Sequence, residues 1–216
     1  MTCDIALIGF GEAGSTFAKA GDWSARARGW DRLAGRRAAM AAAGLPTADG
    51  PAQALSGAPL VLSLVTADEA LKAAQDYAPL LSPGALWCDG NSVAPETKRA
   101  AARAVEAAGG RYVDLAVLAP VHPARLAVPL LLAGAAADDA AERLNVLGFT
   151  NLRVVGDEVG RASAIKMIRS VMVKGIEALT DEMMAAAEAA GVADEVLSSL
   201  DASEKPMPWA QKAAYN

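Results

Sequence analysis

Gly9-Phe10-Gly11-Glu12-Ala13-Gly14 follows the apolar run Ile5 to Ile8 and leads into a helix-compatible segment. Glycines at this spacing between a strand and a helix suit a dinucleotide pyrophosphate. Gly9 permits the tight turn, Gly11 leaves out the side chain that would hold a phosphate away from the backbone, and Gly14 lets the helix pack closely on the strand. The helix start then offers unpaired N–H groups and a positive dipole end to the anion. Asp31 lies 17 residues past Gly14, close to the ~20 expected of the acid that hydrogen-bonds an adenosine ribose. Its carboxylate repels a 2′-phosphate and favours NAD. Arg32, Arg36 and Arg37 follow at once, and a guanidinium over the ribose accepts that phosphate, so NADP stays open.

Further candidates stand where apolar runs end. Leu60 to Val65 and Leu86 to Cys88 read as parallel strands buried on both faces. Thr66 follows the first, and Asp89-Gly90-Asn91-Ser92-Val93-Ala94-Pro95 follows the second. In open α/β sheets ligands lie outside the carboxyl ends of strands. Val65, Thr66, Asn91 and Ser92 are therefore expected on the cofactor, the last three toward its nicotinamide half, with Asn91 and Ser92 also near the substrate. Simple turn and cap residues would give the same pattern. After the strand Tyr112 to Val117 comes a loop with Leu118, the single histidine His122, and Arg125. His122 is a candidate for lining the substrate pocket and for acid/base work. The forked guanidinium of Arg125 could pair a substrate carboxylate.

These residues need a frame to hold them. Ala25 to Trp30 reads as the second strand, Leu33 to Ala43 and Asp138 to Gly148 as helices, and Leu130 to Ala133 and Asn151 to Val155 as the last strands. Gly44-Leu45-Pro46 and Asp49-Gly50-Pro51 mark a break, and Pro95-Glu96 a helix start. The expectation is a doubly wound, mostly parallel α/β sheet over residues 1–158, and over 159–216 a long helix with the start of a helical second domain. Val159 to Ala190 forms that helix, with Gly191 as its stop. At 100° per residue, Ser163, Lys166, Ser170, Lys174, Glu177 and Asp181 share one stripe, and Ile165, Ile168, Val171, Met172, Ile176, Leu179 and Met183 lie opposite. Either the polar stripe is a wet face, or its first part, Lys166 between Ser163 and Ser170, looks into a cleft. Asp194 to Leu200 reads as a further helix, and the segment Trp209 to Asn216 as part of another.

Composition narrows the class. The 216 residues are 53% hydrophobic with a formal net charge of −5 and a pI near 5.0. That balance, without a dense Lys/Arg patch, argues against nucleic acid. Cys3 and Cys88 lack metal-ligand spacing and suit a reducing compartment, so no metal is expected. No apolar run reaches the ~18 residues of a membrane span, and residues 1–20 lack the pattern of a cleavable leader. A cytoplasmic protein acting on a small molecule is the expectation.

Taken in order, the glycine fingerprint, Asp89-Gly90-Asn91-Ser92, Asp114 to Val121 and Gly156-x-x-x-Gly160-x-x-x-x-x-Lys166 resemble the 3-hydroxyacid dehydrogenase superfamily, which includes 6-phosphogluconate and 3-hydroxyisobutyrate dehydrogenases. Ser163-Ala164-Ile165-Lys166-Met167-Ile168-Arg169-Ser170 is similar to a bacterial branch known as NAD(P)-dependent oxidoreductases of undefined substrate. The resemblance covers essentially the whole chain. It implies a Rossmann domain, a catalytic lysine at Lys166 on an interdomain helix, and an all-helical second domain that dimerises and continues past Asn216. Two positions depart from the pattern: Leu118-Ala119-Pro120 stands where a Ser-Gly-Gly turn anchors the substrate carboxylate, and Ser170 stands where an asparagine follows the lysine by four. Related folds that reduce C=N bonds tend to lack this lysine, which makes an imine reductase the rival enzyme. A non-catalytic, redox-sensing dinucleotide module is the alternative outside enzymology.

Overall fold

Seven strands, β1 (Ile5–Ile8), β2 (Ala27–Trp30), β3 (Leu60–Ser63), β4 (Leu86–Asp89), β5 (Arg111–Val117), β6 (Leu130–Ala133) and β7 (Leu152–Val154), form one sheet in the order β2-β1-β3-β4-β5-β6-β7. They belong to a computed structural model that describes residues 3–203 and 208–214. All neighbours pair in parallel except β5 with β6, which run antiparallel. The chain leaves β1 toward β2 on one side and returns to β3 on the other. That reversal opens a crevice at the carboxyl end of β1, which is where the glycine fingerprint sits.

Alternation along β1 shows why the sheet needs cover on both faces. Ile5 and Leu7 join an apolar cluster with Phe17, Trp23 and Phe149, whereas Ala6 and Ile8 join another with Leu55, Trp87 and Val105. The helices α1 (Glu12–Ala20), α2 (Ala34–Ala42), α3 (Pro51–Leu55), α4 (Ala70–Tyr77), α5 (Pro95–Ala107) and α6 (Ala137–Val146) accompany the strands. The element α3 falls where the sequence reads as a break, because Pro51 opens a helical turn that buries Ala54 and Leu55. Strand β2 starts two residues later than expected, since Trp23–Ala25 forms a 3-10 turn. The architecture is a Rossmann-type doubly wound sheet followed by helices.

The long helix α7 (Arg161–Ala190), then α8 (Ala193–Ser203) and α9 (Trp209–Ala214), complete the described chain. The expected segment Trp209 to Asn216 runs beyond it, with Tyr215 and Asn216 outside the described residues. Gly191, at φ +67°, ends α7 in the left-handed conformation that glycine adopts without strain. Two compact units divide the chain at Met1–Ile168 and Arg169–Asn216. The division falls inside α7, beyond the expected 158/159, because the first turn of α7 is bonded to Asp114 on β5. The apolar stripe of α7 is open, with Ile168 74% and Val171 76% exposed. Among the described residues no helix is long and apolar enough to cross a membrane.

Candidate functional site

The fingerprint adopts the geometry its glycines suggest. A Cβ on Gly9, at φ +94°, would strike the Leu64 carbonyl, and one on Gly14 would strike the Gly9 carbonyl oxygen. Gly11 differs: a Cβ there meets nothing within 4 Å. It is the N-cap of α1 and supplies no side-chain cap, so first-turn N–H groups of α1, from Glu12, Ala13 and Gly14, can receive an anion. Phe10 departs from expectation. Its ring is buried in the core, and its N–H donates to Asp31 Oδ2 at 2.8 Å, so the residue fastens the loop instead of offering a donor to the ligand.

A cavity of about 410 Å³ opens beside Gly11 and takes in Asp31, Arg32, Thr66, Glu69 and the aromatic rings of Trp30 and Tyr77. Asp31 Oδ1 accepts the Leu33 N–H at 2.8 Å, and each of its oxygens keeps a lone pair for a ribose hydroxyl. Arg32 pairs with Glu69 within the same wall at 2.7 Å. Arg37 donates to the Asp31 and Arg32 carbonyls and lies over the Trp30 ring at 4.9 Å, so it braces the turn after β2 from behind, while Arg36 lines the cavity. Val65 and Thr66 also line this cavity. Thr66 thus shares a cavity with Asp31 that Asn91 and Ser92 do not line, and the Leu64 N–H just before it is held by Ile8 O of β1 at 2.8 Å.

The loop after β4 is fixed by Asp89. Its Oδ1 accepts from Asn91 N at 2.9 Å and Asn91 Nδ2 at 2.7 Å, and Asn91 Nδ2 also reaches Ser63 Oγ at 3.2 Å. Asn91 Oδ1 is buried and meets no donor among the described residues. That leaves an acceptor over, which a ligand amide or hydroxyl can use. One residue on, Ser92 Oγ accepts from Lys166 Nζ at 2.6 Å. Lys166 is half-buried, and burial followed by the charge of Lys98 brings its ammonium below the ordinary lysine range.

Ser163 and His122 have partners other than Lys166. Ser163 does not hold the amine: its hydroxyl donates to Asp114 Oδ2 at 3.1 Å and Gly160 O at 3.0 Å, and it is buried. The first turn of the stripe faces Asp114, so Ser163 is part of the α7 cap. His122 is exposed, with Nε2 at 3.0 Å from Thr16 Oγ1 on α1. It shares a hollow of about 290 Å³ with Ser15, Thr16, Lys19 and Arg125. Asn91, Ser92 and Lys166 do not line that hollow. Leu118 follows β5, with its N–H on Pro129 O at 3.0 Å and its side chain against the cluster that includes Ala162 of α7, and Ser170 stands one turn past Lys166 on the same helix. Sequence reading missed Lys98. It shares the buried face of α5 with Ala101, Ala102 and Val105, a position for an apolar residue, and a lysine in such a stripe is a legible sign of a buried partner. No cluster of three His, Cys, Asp or Glu that could hold a metal occurs among the described residues.

Residues 4–155 match the family model described as the NAD binding domain of 6-phosphogluconate dehydrogenase. The chain belongs to this family. Solved structures agree with the assignment. A conserved hypothetical protein from Sinorhizobium meliloti 1021 is 42% identical, over 97% of this chain and 72% of its own, with a TM-score of 0.76. A conserved protein of unknown function, whose structure is similar to 3-hydroxyacid dehydrogenases, is 30% identical over 92% and 75%, with a TM-score of 0.74. An imine reductase from Myxococcus stipitatus in complex with NADP+ is 25% identical over 98% and 74%, with a TM-score of 0.79. Among curated proteins, an uncharacterized 28.5 kDa protein of Methanothermus fervidus is 28% identical over 147 residues, and the match spans about half of it, 54%. The family places the chain in the 6-phosphogluconate and 3-hydroxyacid dehydrogenase superfamily and supports a nicotinamide dinucleotide as its ligand.

Proposed function

We propose that this protein is an NAD(P)-dependent oxidoreductase that moves a hydride between the nicotinamide and the carbinol carbon of a small hydroxy acid or related alcohol. The observation that carries the reading is the contact of Lys166 Nζ with Ser92 Oγ at 2.6 Å, an amine on α7 meeting the loop at the carboxyl end of β4. The bound cofactor would give or accept the hydride. The protein's own groups bind, orient and handle the proton. Gly11 and the start of α1 receive the pyrophosphate, the cavity at Asp31 receives the adenosine, and Asn91 and Ser92 face the reacting end. Lys166 takes the hydroxyl proton as the alcohol is oxidised and returns it on reduction, with Ser92 fixing the amine. An imine reductase is the second reading, favoured by the likeness to the Myxococcus protein; retention of Lys166 weighs toward the alcohol, and against a dinucleotide module without chemistry. A panel of hydroxy acids and imines, assayed with both cofactors by nicotinamide absorbance, tests this. Turnover of imines alone would move the assignment, and turnover of nothing would withdraw it.

Cofactor choice follows from the walls of the large cavity. Asp31 disfavours a 2′-phosphate, and Arg32, which could bind one, is held by Glu69 at 2.7 Å. NAD is the proposed preference. Glu69→Gln removes the ion pair and frees Arg32, and Asp31→Asn removes the repulsion, so each variant should improve NADP relative to NAD by about 5- to 30-fold, the equivalent of ~1–2 kcal/mol. The ratio of the two dissociation constants, measured by calorimetry, checks this; an unchanged ratio in both would place the preference with Arg36, which lines the same cavity.

The open stripe of α7, with Ile168, Val171, Met172, Ile176 and Leu179 all exposed, is the basis for proposing a homodimer. Apolar surface of this extent on a soluble protein is buried by a partner. Light scattering should report a mass near twice that of the chain. A stable, non-aggregating monomer would contradict it.

A further inference from the structure

Asp89 and Asp114 are register partners on β4 and β5, so their carboxylates stand side by side within the sheet. Neither is accessible to solvent. Like charges opposed across a strand pair are destabilising, and buried ones require a cation. Lys98, from α5 and 0% exposed, is that cation. Its Nζ donates to Asp89 O at 2.6 Å and Asp89 Oδ1 at 3.0 Å, and stands 3.4 Å from Asp114 Oδ1, at ion-pair distance without hydrogen-bond alignment. Tyr112 OH closes the group on Asp89 Oδ2 at 2.6 Å.

Each carboxylate holds one half of the Ser92–Lys166 contact. Asp89 fixes the backbone and side chain of Asn91, and with them the turn that ends in Ser92. Asp114 Oδ2 accepts from Gly160 N at 3.1 Å, Ser163 N at 3.0 Å and Ser163 Oγ at 3.1 Å, so it caps α7 one turn ahead of Lys166. One buried ammonium therefore joins two anchors. We propose that Lys98 is a positioning residue, tying the loop that carries Ser92 to the helix that carries Lys166 and thereby setting the contact between them. The catalytic consequence rests on the acid/base reading of Lys166; the geometric claim does not. Lys98 also adds its charge to the burial that lowers the Lys166 ammonium, so positioning and proton affinity are coupled through one group.

The test is Lys98→Met, with Lys98→Met/Asp114→Asn as a charge-balanced companion in case the single variant leaves too much buried negative charge to fold. Asn at 114 still offers an oxygen to the α7 N–H groups. In the folded variant a crystal structure should show Lys166 Nζ beyond hydrogen-bond reach of Ser92 Oγ. NMR titration of isotopically methylated lysines, with Lys166→Arg to assign the signal, should show Lys166 titrating higher than in the parent, because the charge of Lys98 no longer adds to burial. The dissociation constant of NAD should stay within about twofold, because its adenosine cavity lies apart, while kcat falls on the order of 10- to 100-fold at little change in KM. A purely structural Lys98 would lower only the melting temperature. An intact Ser92–Lys166 contact with a native titration, in either folded variant, overturns the proposal. A displaced contact with unchanged turnover upholds the positioning and overturns the acid/base role of Lys166.

Discussion

Lys166→Met is expected to lower turnover roughly 100-fold or more while hardly changing cofactor affinity. As hydride leaves or reaches the carbinol carbon, its oxygen takes on alkoxide character, and a proton on a positioned group within ~3 Å stabilises that charge in the transition state. An amine of ordinary pKa ~10.4 is a poor base near neutrality. Burial, and then the cationic Lys98, bring Lys166 down from that range, which makes the neutral form available nearer working pH. The sign follows from which form each direction needs. Oxidation uses the neutral amine as acceptor and should rise with pH through the Lys166 pKa; reduction uses the ammonium as donor and should fall through it. Methionine keeps an apolar stem of similar length and removes both charge and proton, so the loss would appear in kcat. Stopped-flow or steady-state kcat profiles in both directions check it. Near-normal turnover in Lys166→Met, with turnover lost in His122→Gln, would transfer the role to the loop after β5 and leave the helix stripe as surface.

Features encoded locally were legible in the sequence. The fingerprint, its flanking strand and helix, and Asp31 at the end of β2 sit in one stretch of about 30 residues, and their meaning depends on neighbours a few positions away. The 100° stripe on α7 identified the face that carries Lys166, because helix geometry alone groups those side chains. Periodicity names a face, though, and not what it meets. Ser163 shares the stripe with Lys166, yet 49 positions back along the chain Asp114 claims both its N–H and its hydroxyl. Thr16 likewise claims His122 across 106 positions. The same limit hid Lys98, whose partners are set by the register of β4 against β5, and the antiparallel entry of β6, which looks like any other apolar run. Pairings between distant segments decide these cases, and no local pattern states them.

Gly11→Val should abolish cofactor binding and leave the fold in place, a separation that the neighbouring glycines cannot give. Valine at Gly9 or Gly14 would drive a side chain into the backbone at Leu64 or at Gly9, and valine at Gly9 would also have to adopt φ +94°. Both should fold poorly. Gly11 has φ −76° and ψ −157°, a region any residue occupies, and a Cβ there meets nothing within 4 Å. The open space lies at the mouth of α1 and borders the cavity of Asp31 and Arg32. An isopropyl group placed in it holds a pyrophosphate away from the first-turn N–H groups, where each lost charge-assisted hydrogen bond removes ~1.5–3 kcal/mol. Losing two is already at least about 100-fold in the dissociation constant. Calorimetry with NAD and NADP, beside a melting curve that stays within a few degrees of the parent, reads the two effects separately. Unchanged affinity for both cofactors in a folded Gly11→Val protein would mean that the phosphates do not approach the start of α1, and the dinucleotide site would have to be sought elsewhere on the sheet edge.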